Sequence, residues 1–151
     1  MKCGVDIVQI SRIARAFGEG GDGTKTSSGS ATGERFKEKV FTPREIAYCE
    51  TRSPSLGATA PTQATPRRLG ALQSYAARFA AKEAFAKALG TGLGSDVSLC
   101  EIEVVNDLAS GKPSIWLSGK TQALFTAQGF TQIELSISHE ADYAVAFVII
   151  Q

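Results

Sequence analysis

The chain has 151 residues, 43% hydrophobic and 21% charged, enough for one domain with a proper core and too few to expect two. Its net charge is only +1, divided as +4 over residues 1–68 and −3 over residues 69–151, with no long basic run and no aromatic-basic interleaving, so nucleic acid is not an expected partner. Three widely spaced cysteines, Cys3, Cys49 and Cys100, form no CxxC pair and suggest neither a disulfide framework nor a zinc site; a reducing cytoplasm fits best.

Lys2 to Val8 reads as a short strand. Asp6 interrupts its apolar run, which is too short and too polar for a signal peptide, and nothing later approaches a membrane-spanning length, so no membrane association is expected. An ionised carboxylate in that apolar setting needs a partner; a salt bridge, a strand-end turn or a metal would each serve. Ser11 is placed to cap a following helix in which Ile13 and Phe17 share a face and Arg12 and Arg15 point away from it. Residues 18–33 hold six glycines and six Ser or Thr without a phosphate-loop pattern, which predicts a flexible insertion. In ERFKEKVF, Phe36 and Val40 lie four apart while Arg35, Lys37 and Lys39 carry charge outward, the pattern of a short helix. Thr42-Pro43-Arg44-Glu45 then spells a capping box, with Thr42 as N-cap, Pro43 at the first helical position and Glu45 at the third, followed by Ile46 and Cys49 on one face. Residues 51–68 carry three of the five prolines and no extended apolar pattern, a second irregular insertion.

Tyr75 to Gly94, YAARFAAKEAFAKALGTGLG, is almost wholly strong helix former up to Leu89, with Gly90 where a helix commonly ends in the left-handed conformation. Phe79, Glu83 and Lys87 share one face, Glu83 and Lys87 about 6 Å apart along the axis, and Arg78 and Lys82 flank them. A solvated helix with one Glu-to-Lys pair accounts for that spacing; so does half of a site whose other half is Asp6. Further on, Glu101 to Asn106 and Ile115 to Leu117 predict a hairpin around a turn at Asp107 to Pro113. Ser118 is placed to cap a helix ending near Gly129, with Leu124 and Phe125 inward, and Trp116 is read as packing rather than binding. Two final strands, Gln132 to His139 and Tyr143 to Ile150, put Ile133, Leu135, Ile137 and His139 on one face, whereas the second strand, apolar at nearly every position, reads as buried on both sides. By element order this is an α+β fold with helices packed on a mainly antiparallel sheet.

The blocks GVDIVQISRI, FTPREIAYCE, RFAAKEAFAKALGTGLG, SGKP and SISHEADYAVAFVI resemble, in order and over most of the chain outside the two insertions, the holo-acyl-carrier-protein synthase family. The resemblance implies the 4′-phosphopantetheinyl transferase fold as a single domain over residues 1–151. It also implies a transferase that moves 4′-phosphopantetheine from coenzyme A to a serine of apo acyl carrier protein with magnesium, in fatty acid biosynthesis. Carried over residue by residue, it assigns Asp6 and Glu83 to magnesium, and Glu83 or a water on the metal to the serine proton. Lys87 falls to a phosphate and the leaving bisphosphate, and His139 to a phosphate or proton-transfer role. The glycines Gly90 and Gly92 would allow close backbone approach to a ligand, although a helix-ending turn explains them at least as well. Arg12 and Arg35 are the candidates for docking the acidic carrier, and a homotrimer is implied, with sites between subunits and Asp6 and Glu83 drawn from facing chains. Gln9 and Ser11 stand where acidic residues often accompany the early aspartate, a change that would lower metal affinity. Two alternatives use the same residues: a catalytically silent coenzyme A or nucleotide-binding module, and a metal-dependent pyrophosphate hydrolase.

Overall fold

A computed structural model describes residues 1–18, 30–51, 66–94 and 96–151. Along the chain run β1 (Lys2–Gln9), α1 (Ile10–Ala16), α2 (Ser30–Val40), α3 (Pro43–Thr51), α4 (Pro66–Leu89), a 3-10 turn (Leu99–Glu101), β2 (Ile102–Asn106), β3 (Pro113–Leu117), α5 (Gly119–Ala127), β4 (Ile133–His139) and β5 (Tyr143–Ile150). The strands form an antiparallel three-stranded sheet, ordered β1-β5-β4, and a separate β2-β3 hairpin. The α+β expectation holds, with the sheet divided in two.

One helix organises this arrangement. α4 has 24 residues and spans about 36 Å at 1.5 Å per residue, crossing β1 and β5. Its buried face is built largely of small residues, Ala76, Ala77, Ala80, Ala81, Ala84 and Ala88, and the sheet answers with Gly4, Ala144 and Ala146. The two backbones therefore approach closely: a Cβ on Gly4 would run into the Ala84 carbonyl oxygen and stand 2.7 Å from the Ala88 nitrogen. Because strand side chains alternate, Asp6 shares the face of Gly4 and Val8 and is brought against the C-terminal half of the same helix.

Several local expectations change. α4 begins at Pro66, nine residues before Tyr75 opens the central motif, with proline at the first helical position, where its missing N–H costs least. α1 starts at Ile10 directly out of β1, its N-cap is Gln9, and the Ile10 N–H donates to Asp142 O at 2.8 Å, so Ser11 lies inside the helix and caps nothing. α2 reaches back to Ser30, because Gly33 lets the helix lie on the Phe17 backbone. Thus residues 30–33, Thr51 and residues 66–68, expected within the two insertions, are helical, while 19–29 and 52–65 lie outside the described residues. Ser118 is the N-cap of α5 by position but makes no side-chain cap bond; Glu101 instead accepts from the Thr121 N–H and hydroxyl at 2.9 and 2.7 Å.

Two readings of apolar residues are corrected. Trp116 is 63% exposed, since it pairs across the hairpin with Glu103 on the outer face while Ile102, Val104 and Ile115 point inward. β5 is buried on one side only. Ala144, Ala146, Val148 and Ile150 pack under α4, but Tyr143, Val145 and Phe147 are 49, 37 and 42% exposed beside Val5 and Ile7 of β1 at 56 and 64%.

Candidate active site

Asp6 and Glu83 belong to one chain and feel each other. Asp6 projects from β1 toward the last turns of α4, where the Lys87 ammonium donates to Asp6 Oδ1 at 2.7 Å and to the Val5 carbonyl at 3.2 Å. Glu83, one turn earlier, is half-buried. Burial first, and then the Asp6 carboxylate, push its carboxyl above the usual carboxylate range, against the opposing pull of Lys87 and Arg12. The expectation that Asp6 and Glu83 come from facing chains is therefore set aside, because close helix-sheet packing within one chain already juxtaposes them. Arg12, exposed on α1, stands near enough to act on Glu83; Arg35, on α2, is exposed as well.

Two half-buried carboxylates with like-charge strain suit a hard divalent cation, which takes one or two carboxylates and keeps its other positions for water and phosphate oxygens. Among the described residues, no three His, Cys, Asp or Glu side chains cluster as a metal site. The buried Cys49 thiol is pushed up to about 12 by desolvation and offers no reactive group here.

Gly90 ends α4. Its N–H donates to the carbonyls of Ala86 and Lys87 at 3.1 Å, and Gly90 and Gly92 have φ of 86° and 65°, conformations that glycine adopts without strain. Both are exposed, and a side chain at Gly92 would meet nothing within 4 Å.

His139 stands elsewhere. It ends β4, pairs with Ala144, and Ala144 pairs in turn with Val8, so two strand spacings and two residues separate it from Asp6, roughly 12 Å between Cα atoms. It lines a cavity of about 340 Å³ together with Tyr48, Arg78, Asn106 and Pro113, among others, and none of Asp6, Glu83 or Lys87 reaches that wall.

The sequence pattern undervalues two cations on α4. Arg78 is 4% exposed, packs its guanidinium 4.0 Å above the Tyr48 ring, and donates to Asn106 Oδ1 at 2.7 Å and Ser74 O at 3.3 Å, while its buried Nε–H has no partner. Lys82 does not flank the face of Glu83 in solvent but is fully buried, donating to Glu45 Oε2, Val40 O and Leu99 O at 2.6, 2.7 and 2.9 Å. Its position amid Ala80, Ala81, Ala84 and Phe85 was the available signal. Arg78 sits in the same kind of run, amid Ala76, Ala77, Phe79 and Ala80, but its partner Asn106 lies 28 residues away in another element.

Known proteins resemble this chain over nearly its whole length. The 4′-phosphopantetheinyl transferase superfamily matches residues 2–148. The holo-[acyl-carrier-protein] synthase of Ruminiclostridium cellulolyticum is 41% identical over 150 residues, covering 99% of this chain and 91% of that protein. The crystal structure of the Neisseria meningitidis holo-[acyl-carrier-protein] synthase superposes with a TM-score of 0.73 at 31% identity, covering 99% of this chain and 97% of the other. That of the Helicobacter pylori enzyme in complex with coenzyme A gives 0.71 at 26% identity and 99% of both. Matched by the family over residues 2–148 and by relatives of the same fold along nearly the full length, the chain belongs to the 4′-phosphopantetheinyl transferase superfamily, among the holo-[acyl-carrier-protein] synthases.

Proposed function

We propose that this chain transfers 4′-phosphopantetheine from coenzyme A to a serine of apo acyl carrier protein, releasing adenosine 3′,5′-bisphosphate, in support of fatty acid biosynthesis. The observation that carries this reading is the gathering of Asp6, Glu83 and Lys87 where β1 meets the end of α4, in a chain of this family. Phosphoryl-type substitution needs positioning and charge neutralisation more than covalent help from the protein. Asp6 and Glu83 would hold Mg2+, which when bound neutralises charge on the pyrophosphate oxygens. We assign Glu83 to the proton of the attacking serine hydroxyl and Lys87 to a phosphate oxygen and the leaving bisphosphate.

Arg78, whose Nε–H has no partner among the described residues, and His139 are assigned to a phosphate at the cavity they both line. Gly90 and Gly92 border the ligand beyond the end of α4. Since His139 lies far from Asp6 within one chain, we propose a homotrimer in which one subunit's His139 cavity completes its neighbour's site. The uncovered apolar face of Val5, Ile7, Tyr143, Val145 and Phe147 supports that assembly. Arg12, beside Glu83, and Arg35 are the residues we propose to dock the acidic carrier, an attraction that salt screens over about 10 Å at 0.1 M. We place the protein in the cytoplasm; its three cysteines are free, and no described helix is long and apolar enough to cross a membrane.

The experiment is release of adenosine 3′,5′-bisphosphate from coenzyme A and magnesium, followed with and without apo carrier. Release only when the carrier is present is the expected result. Release without it would indicate a pyrophosphate hydrolase, and coenzyme A binding without release a silent module.

A further inference from the structure

Lys87 is bound to the group it would have to leave. Its ammonium lies 2.7 Å from Asp6 Oδ1 and also takes the Val5 carbonyl, so in the ligand-free chain the strand carboxylate is already neutralised. The two partners differ in freedom. The Lys87 side chain is 52% exposed, in the last turn of α4, whereas that of Asp6 is 14% exposed and fixed on β1. Lys87 also acts favourably on the Glu83 anion, so this one cation stands over both carboxylates. A divalent cation arriving alone must compete with it for Asp6. Pyrophosphate arriving alone must draw it from Asp6, leaving that carboxylate uncompensated and Glu83 with only the more distant help of Arg12.

We propose that Lys87 is an exchangeable latch on Asp6, which trades the carboxylate for a pyrophosphate oxygen and thereby makes cation and coenzyme A binding mutually reinforcing. The inference rests on the assignment of Asp6 and Glu83 to the cation. Its logic is that each ligand alone bears the whole cost of opening the pair, whereas together they bear it once. Coupling of this kind is reciprocal: whatever coenzyme A does for the cation, the cation does for coenzyme A. Lys87 moves into solvent without uncovering the core, so no rearrangement of the fold is involved.

Mn2+ serves as the probe, its free concentration read by electron paramagnetic resonance. Wild type and Lys87→Met are each titrated with and without coenzyme A at a concentration shown to saturate that protein, against a protein-free coenzyme A blank. For wild type, coenzyme A tightens Mn2+ binding by about tenfold or more, within the usual range of coupled sites. Lys87→Met binds Mn2+ alone several-fold more tightly than wild type does, and the enhancement by coenzyme A falls to a third or less of the wild-type factor. A lysine acting only as a distant charge would change Mn2+ affinity equally with and without coenzyme A. An unchanged enhancement therefore overturns the latch and leaves the cation site standing. If Asp6→Asn binds Mn2+ as wild type does in the presence of coenzyme A, the cation assignment itself fails, and the latch with it.

Discussion

Half-buried and next to Asp6, Glu83 is harder to ionise in the folded chain than in the unfolded one. The folded state therefore holds the Glu83 proton more tightly. Its contribution to stability is full below the unfolded carboxylate value of about 4.3 and is lost as pH rises through the raised folded value. Glu83→Gln, measured by thermal melting without divalent metal, is expected to melt above wild type at pH 7 and to lose that advantage near pH 4. A variant no more stable at either pH would show that the carboxylate carries no such strain. Much of this was legible from residues alone, since a carboxylate interrupting an apolar strand and a Glu and Lys four apart on a helix are local patterns. The bond from Lys87 to Asp6 spans 81 positions and depends on the close approach at Gly4, which no window of sequence displays. The separation of His139 from that pair follows from strand order, equally invisible in a local pattern.

At the scale of elements, the end of α2, the start of α3, α4, the 3-10 turn and β2 meet at one buried ion pair. Glu45 Oε2 accepts from Lys82 and from the Thr42 N–H, Glu45 Oε1 accepts from the Val104 N–H at 2.9 Å, and Lys82 also satisfies the Val40 and Leu99 carbonyls. Burial pulls the Lys82 ammonium below the usual lysine range, with Glu45 opposing it. Lys82→Met is expected to cost about 3–5 kcal/mol in denaturant unfolding, because it leaves a buried carboxylate unpaired. Replacing both partners by apolar residues, often tolerated elsewhere, should not restore stability here, since the Val40, Leu99 and Val104 backbone groups would be left without partners. A loss under about 1 kcal/mol for Lys82→Met would contradict this view of the pair. The capping box was readable in advance and forms as read, with Glu45 N–H donating to Thr42 Oγ1 at 3.2 Å and Thr42 N–H to Glu45 at 2.9 Å. That Glu45 is also the partner of a lysine 37 residues later was not readable, because a helix cap and a core ion pair look alike from one side.

For the whole molecule, the uncovered side of the sheet is where sequence and single chain disagree most usefully. β5 has the composition of a strand covered on both faces, yet Tyr143, Val145 and Phe147 face outward beside Val5 and Ile7. The composition becomes consistent if a second copy supplies the missing cover. If the proposed trimer forms through this face, Phe147→Asp is expected to leave a monomer in sedimentation where wild type sediments as a trimer, and to abolish transfer; a fully active wild-type monomer would contradict a shared site. The central claim, transfer of an intact phosphopantetheine arm onto a carrier serine, is tested most directly by the intact mass of apo acyl carrier protein after incubation with coenzyme A and magnesium. The expected result is a gain of one phosphopantetheine with wild type, absent after chelation and with Glu83→Ala. No gain with several carriers while coenzyme A still binds, or an undiminished gain with Glu83→Ala, would contradict it.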